Sequence, residues 1–130
     1  MVPRPMEAPP VLRVLSALLV LALAACDRET PVQQRIAGAD PDRGAALIRS
    51  YGCLTCHTVP GVPGPRGVVG PPLDRFAHRS LIAGIVANQP DTLVRWIMDP
   101  PSFAPQTGMP AMGISMQEAE HIAAYLYTLR

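Results

Sequence analysis

Asp40-Pro41-Asp42-Arg43-Gly44-Ala45-Ala46-Leu47-Ile48-Arg49-Ser50-Tyr51-Gly52-Cys53-Leu54-Thr55-Cys56-His57 runs a helix directly into a chemical motif. Asp40 is an N-cap acceptor and Pro41 suits the first helical position, where its missing N–H is no loss. Gly44, Leu47, Ile48 and Tyr51 fall on one face at helical spacing. Gly52 predicts the end of the helix just before the first cysteine. Thiols three residues apart face the same side of one helical turn and can add across the two vinyl groups of a haem. The adjacent histidine then projects its imidazole at the iron. Cys53 and Cys56 are therefore the candidate attachment points of one covalent haem c, and His57 its candidate axial ligand.

Other chemistries use paired cysteines, and the rest of the chain argues against each. A thioredoxin-like dithiol needs a βαβ setting, and no stretch here alternates convincingly as a strand. A structural zinc site needs four ligands, and His78 and His121 stand in no paired spacing with the motif. A disulfide between Cys53 and Cys56 would close almost no loop and would stabilise little.

Toward the N-terminus, residues 14–25 are apolar apart from Ser16, behind a short positive flank from Arg4 and Arg13. A helix of that length rises about 18 Å against a hydrocarbon core of roughly 30 Å, too short to span. The run fits a secretory leader, with Met1 or Met6 as its start. It ends in Leu23-Ala24-Ala25-Cys26, which resembles the bacterial lipoprotein box. That resemblance implies cleavage before Cys26 and acylation of that cysteine, a stable anchor because more than one chain is attached. Asp27 resembles a signal for retention at the inner membrane, which implies a protein on its periplasmic side. Residues 27–38 are polar, contain Pro31 and lack an apolar period, as a tether would. The expected organisation is a leader over 1–25, an anchor and tether over 26–38, and a folded domain over 39–130.

With 16 prolines and 10 glycines among 130 residues, the chain predicts short helices and many loops. All of its 11 basic residues are arginine, and beyond residue 25 they balance the acidic ones, so no basic surface for nucleic acid is implied. A domain of about ninety residues has a marginal core of its own, and a buried haem would add the apolar mass it lacks. Residues 59–72 are punctuated by proline and glycine. A short turn is expected over 74–78, and a helix rather than a strand over 80–87. Asn88 is expected to cap a helix reaching Met98 with Leu93, Trp96 and Ile97 inward, stopped by Asp99-Pro100-Pro101. Ser115 and Glu118 form a capping box that opens a last helix to Leu129, with Ile122, Tyr125, Leu126 and Leu129 as its stripe. The predicted fold class is all-α.

Met98, Met109, Met112, Met116, His78 and His121 are the candidates for the second axial position. Methionine in a small domain is mostly packing filler. Thr107-Gly108-Met109-Pro110 sets Met109 apart, in an irregular segment that can reach across a haem face, with Met112 in the same loop as its rival.

Together these elements resemble the class I cytochromes c over residues 40–130. The shared features are the helix before the Cys-x-x-Cys-His motif, Gly70-Pro71-Pro72-Leu73, and the helix with Leu93, Trp96 and Ile97 followed by Pro100. The Met109-Pro110 loop and the final Ala124-Tyr125-Leu126 complete them. The chain is also similar to small membrane-anchored proteobacterial cytochromes and to the cytochrome c domain fused to subunit II of some haem-copper oxidases. The resemblance implies short helices and Pro/Gly-rich loops wrapped around one haem c. It implies that the Pro71 carbonyl accepts the second ring N–H of His57, fixing the ring, and that Met109 is the distal ligand. Trp96 stands where many relatives carry a tyrosine that bonds the methionine sulfur. Arg75 and Arg79 read equally as propionate donors or as solvated loop charges. The ring of lysines by which relatives dock is absent, which leaves arginine, apolar rim contacts or co-localisation at the membrane.

A haem closed by histidine and methionine has no open position, which favours electron transfer over chemistry at iron. The expected function is a single-electron carrier, monomeric outside any complex, between membrane respiratory complexes. A quinol-oxidising complex or dehydrogenase would be the donor and a terminal oxidase the acceptor. An enzymatic role, on peroxide or a small gas, would require that Met109 not ligate. A fixed haem subunit of an oxidase or dehydrogenase complex is the other alternative.

Overall fold

The computed structural model describes Val11 and residues 34–130; the rest of the expected leader and the candidate lipidation site Cys26 lie outside the described residues. The chain divides into two compact units, Met1–Pro31 and Val32–Arg130, and every element named below belongs to the second. Among the described residues no helix is long and apolar enough to cross a membrane.

Helix α1 spans Pro41–Ser50 and is capped as its sequence demands. The Asp40 carboxylate accepts from the backbone N–H groups of Asp42 at 2.9 Å and Arg43 at 3.3 Å. Gly52, at φ +69°, takes the left-handed conformation that ends the helix and opens a 3₁₀ turn over Cys53–Thr55. Helix α2 covers Pro90–Met98, the short α3 Pro100–Phe103, and α4 Met116–Leu126. The expected capping box opens α4, with Ser115 N–H donating to Glu118 Oε2 at 3.0 Å and Glu118 N–H donating to Ser115 Oγ at 3.4 Å.

The most extensive packing is between α1 and α4, the first and last helices of the domain, with α2 laid against α4 as well. Gly44 makes the crossing possible. A Cβ there would stand 2.7 Å from the carbonyl carbon of His121 and collide with its oxygen, so the helices meet backbone to backbone. Around the crossing Ile48, Leu54, Leu93, Trp96, Ile97 and Ile122 form one buried cluster.

Four details differ from expectation. Residues 80–87 form an antiparallel hairpin, β1 Leu81–Ile82 with β2 Val86–Ala87, instead of a helix, so the all-α fold holds one small exception. Ala83 (φ +50°) and Gly84 (φ +75°) fill a turn closed by Ile85 N–H to the Ile82 carbonyl at 3.0 Å. Two consecutive left-handed residues fit a primed hairpin turn and exclude a right-handed helix. Asn88 does not cap α2. Gln89 occupies that position without a side-chain cap, while Asn88 is buried and cross-links the domain. Its amide nitrogen donates to the carbonyls of Phe76 (3.1 Å) and Arg79 (2.9 Å), and its oxygen accepts from the Tyr127 hydroxyl (3.0 Å). Pro100 and Pro101 follow the end of α2 as expected but also start α3, because proline is tolerated in a first turn. Helix α4 stops at Leu126, short of Leu129, whose carbonyl accepts from Ala77 N–H at 3.0 Å.

The expected tether is docked at its end. The Gln34 side-chain amide donates to the Asn88 carbonyl at 2.8 Å, and Ile36 packs against the core.

Candidate functional site

The 3₁₀ turn after α1 carries the motif. Cys56 N–H and His57 N–H both donate to the Cys53 carbonyl, at 3.2 and 3.0 Å, so the turn closes on its own first residue. Cys53 and Cys56 are both half-buried and are not joined by a disulfide. Burial pushes the Cys53 thiol up, partly opposed by a hydrogen bond with its own backbone, and the neighbouring Cys56 adds a smaller rise. Among the described residues no group of three or more His, Cys, Asp or Glu is arranged to hold a metal ion.

His57 is oriented by the chain that follows it. Its Nδ1–H donates to the Pro71 carbonyl at 2.7 Å; the carbonyl can only accept, so the proton is on Nδ1 and Nε2 keeps its lone pair. The loop between them is pinned to the motif. Gly67 N–H donates to Leu54 O at 3.0 Å, Gly70 N–H to Cys56 O at 2.8 Å, and Leu73 N–H to Thr58 O at 2.9 Å. Gly70 lies flat against the imidazole, where a Cβ would come within 2.6 Å of Nδ1 and 2.9 Å of Nε2. Only glycine lets the backbone approach the ring so closely. The same loop leaves Val68 and Val69 almost wholly in solvent, at 89% and 85% exposure.

The methionines separate by burial. Met98 and Met109 pack against the core, whereas Met112 and Met116 are exposed. Met109 N–H donates to the Thr107 hydroxyl at 3.2 Å, which folds the loop back on itself. Trp96 is buried with its ring 6.0 Å from that of Phe103, in the packed interior between α2 and α3. Neither remaining histidine is placed like His57. His78 is exposed on the 3₁₀ turn Phe76–His78, and His121 is buried with its Nδ1 accepting from Asp40 N–H at 2.8 Å. Arg79 donates to the carbonyls of Pro72 and Asp74 and lies over the Phe76 ring, so it clamps the loop after Pro71. Arg75 is exposed beside Asp74 at 3.8 Å, and both arginines line an open hollow with Asp74 and His78.

These residues fit a covalently held haem. Two thiols lie on one turn, an imidazole bonded through Nδ1–H leaves Nε2 for a ligand, and a glycine lets the loop close against that ring. Sequence reasoning did not assign roles to Gly70, Gly67 or Gly44. Their signal was present: an isolated glycine in a helical pattern, or one before Pro-Pro, marks a close backbone approach.

A sequence model of the family described as "Cytochrome C oxidase, cbb3-type, subunit III" matches residues 39–126. The cytochrome c oxidase subunit 2 of Alkalihalophilus pseudofirmus is 32% identical over 90 residues, covering 68% of this chain and 25% of that protein. The chain thus spans about a quarter of the length of that curated relative. The crystal structure of cytochrome c2 from Rhodobacter sphaeroides superposes with a TM-score of 0.50 at 20% identity, covering 70% of this chain and 96% of that one, a likeness of fold.

Proposed function

The chain belongs to the class I c-type cytochromes, haem-based electron-transfer proteins, and from that premise we propose that it carries single electrons between membrane respiratory complexes, toward a terminal oxidase. Cys53 and Cys56 would hold the haem through two thioether bonds, and His57 and Met109 would ligate its iron. The hydrogen bond from His57 Nδ1–H to the Pro71 carbonyl carries this reading. It fixes the tautomer that leaves Nε2 able to ligate, and it adds donor strength to the ring. Bound haem supplies a reversible one-electron couple, and a thioether ligand raises its potential by favouring the reduced iron.

The protein's own part is positional. Gly70 lets the loop close against the imidazole, Pro71 aims it, and the pinned loop over residues 67–73 resists rotation of the ring. Met109 is favoured over Met112 because it already packs against the core. An exposed side chain would have to give up more freedom to ligate. Trp96 supports that side by packing. With both axial positions filled by protein, substrates have no route to the metal, and the protein is a carrier and not a catalyst.

The oxidase direction draws on what the relatives are named for, an oxidase subunit III family and an oxidase subunit 2. Both names also favour a second reading, in which the chain is a fixed haem subunit of such a complex. Copurification in fixed ratio from solubilised membranes would support the subunit, and recovery as a free monomer the shuttle. Acylation at Cys26, after removal of residues 1–25, would hold the protein on the periplasmic face of the inner membrane. Intact mass spectrometry of the native protein reads that modification directly.

The ligand assignment is tested by two substitutions. Met109→Ala should abolish the long-wavelength sulfur-to-iron charge-transfer band of the oxidised protein and leave a high-spin or water-ligated haem. Met112→Ala should leave the band intact. The reverse pattern would move the ligand to Met112.

A further inference from the structure

Residues 80–88 contain no charged side chain, and the hairpin they form does not bury all its apolar groups. Ile82 is buried, whereas Leu81 is 48% and Ile85 52% exposed. The turn between the two exposed residues is closed by the Ile85–Ile82 hydrogen bond. The base of the hairpin is fixed to the domain, with Asn88 N–H donating to the Ser80 carbonyl at 3.0 Å and the Asn88 side chain bonded on both its ends. An uncharged projection with two exposed aliphatic side chains is suited to an apolar surface.

The approach of the N-terminal segment says which surface that is. Gln34 donates to the Asn88 carbonyl, so the chain arriving from the leader side is held at the foot of this hairpin. From Cys26 to Gln34 the extended chain reaches at most about 28 Å. We infer that Leu81 and Ile85 insert into the lipid surface, making the hairpin a second, non-covalent membrane contact next to the tether. The inference rests on reading Cys26 as the lipid anchor. Burying two aliphatic side chains at the interface adds to the hold of the acyl chains. The lack of charge in the hairpin means that no ion must be desolvated. A tether alone lets the domain tumble, whereas two contacts fix which side faces the membrane. With no charge involved, the contact is indifferent to headgroup charge and to salt.

The test is hydrogen–deuterium exchange on the full-length, haem-loaded lipoprotein in neutral phosphatidylcholine vesicles, compared with the Cys26→Ser protein in solution. Backbone amides of residues 83–86 should slow about tenfold on vesicles, equivalent to ~1.4 kcal/mol, at low and high salt alike. A Leu81→Ser, Ile85→Ser double variant should lose that slowing while its α4 amides exchange as in the parent, showing an intact fold. The mass of the same preparation reports Cys26 separately. An acylated protein whose hairpin amides do not slow overturns the hairpin contact and leaves the anchor standing. An unacylated protein overturns the anchor and the hairpin contact with it. Slowing that appears only when a respiratory complex is added to the vesicles assigns the pair to a protein partner and overturns the lipid contact.

Discussion

Two histidines in this domain stand beside close backbone approaches, and their tautomers are opposite. His57 donates from Nδ1 to the Pro71 carbonyl, which leaves Nε2 of the neutral ring as an unprotonated donor atom. His121 accepts at Nδ1 from the Asp40 amide, so its proton is on Nε2, and that buried N–H has no acceptor among the described residues. The same side chain is thus a candidate metal ligand in one place and a helix cross-link in the other. What decides is the partner of one ring nitrogen, a carbonyl or an amide. A glycine permits each approach, Gly70 against the His57 ring and Gly44 of α1 against the backbone carbonyl of His121, because both contacts are too close for a Cβ.

Breaking the loop side should have the largest effect. Gly70→Ala places a methyl against the His57 ring and should cost low-spin haem ligation outright, read as a lost six-coordinate absorption spectrum and a reduced yield of loaded protein. Breaking the helix side should cost stability and spare the spectrum. Gly44→Ala forces a methyl into the backbone of α4, and overpacking of that kind is worth about 3 kcal/mol, far above the ~1 kcal/mol gained in helix propensity. Thermal or denaturant unfolding would show it. A smaller loss, on the order of 1–3 kcal/mol, is expected for His121→Phe, which leaves the Asp40 amide without its acceptor. If that variant instead altered the ligation spectrum, the separation of the two histidines drawn above would fail.

The smallest effect concerns the cap that fixes α4 beneath the crossing. The Ser115 hydroxyl and amide, and then the Tyr51 hydroxyl, hold the Glu118 carboxyl below its usual range. A carboxyl lowered in the folded state contributes stability above its ordinary value, near 4.3, and loses it as pH falls through the folded value. The stability difference between the parent and Glu118→Gln should therefore shrink in acid. A difference that grew in acid would mean that the cap is not held by the ionised group. Because the cap lies at the surface, the difference should be modest throughout.

Sequence patterns carried the parts of the fold that follow a period or a capping rule. Asp40-Pro41, Gly52 and Ser115 with Glu118 placed both ends of α1 and the start of α4, and the Cys53 to His57 spacing singled out the candidate site. The hairpin was not legible in the same way. Its strands are two residues each, too short for alternation to show, and its composition suited a buried helix as well; Ala83 in the left-handed region had no signal. Asn88 looked like a cap because capping is its commonest helical role, and only the folded chain brings Phe76, Arg79 and Tyr127 around it. Nor can any sequence pattern state a tautomer, since the partner that sets it at His121 lies 81 residues away.

That separation has a consequence for the order of events in folding. Joining points 81 residues apart costs on the order of 4 kcal/mol of chain entropy before any contact offsets it, a cost the local turn at Cys53 does not carry. Cys53 and Cys56 come directly after α1, on a turn whose hydrogen bonds are local. Until the last helix is in place the two thiols sit on an open chain, and the α1–α4 crossing then fixes the helix that leads into their turn.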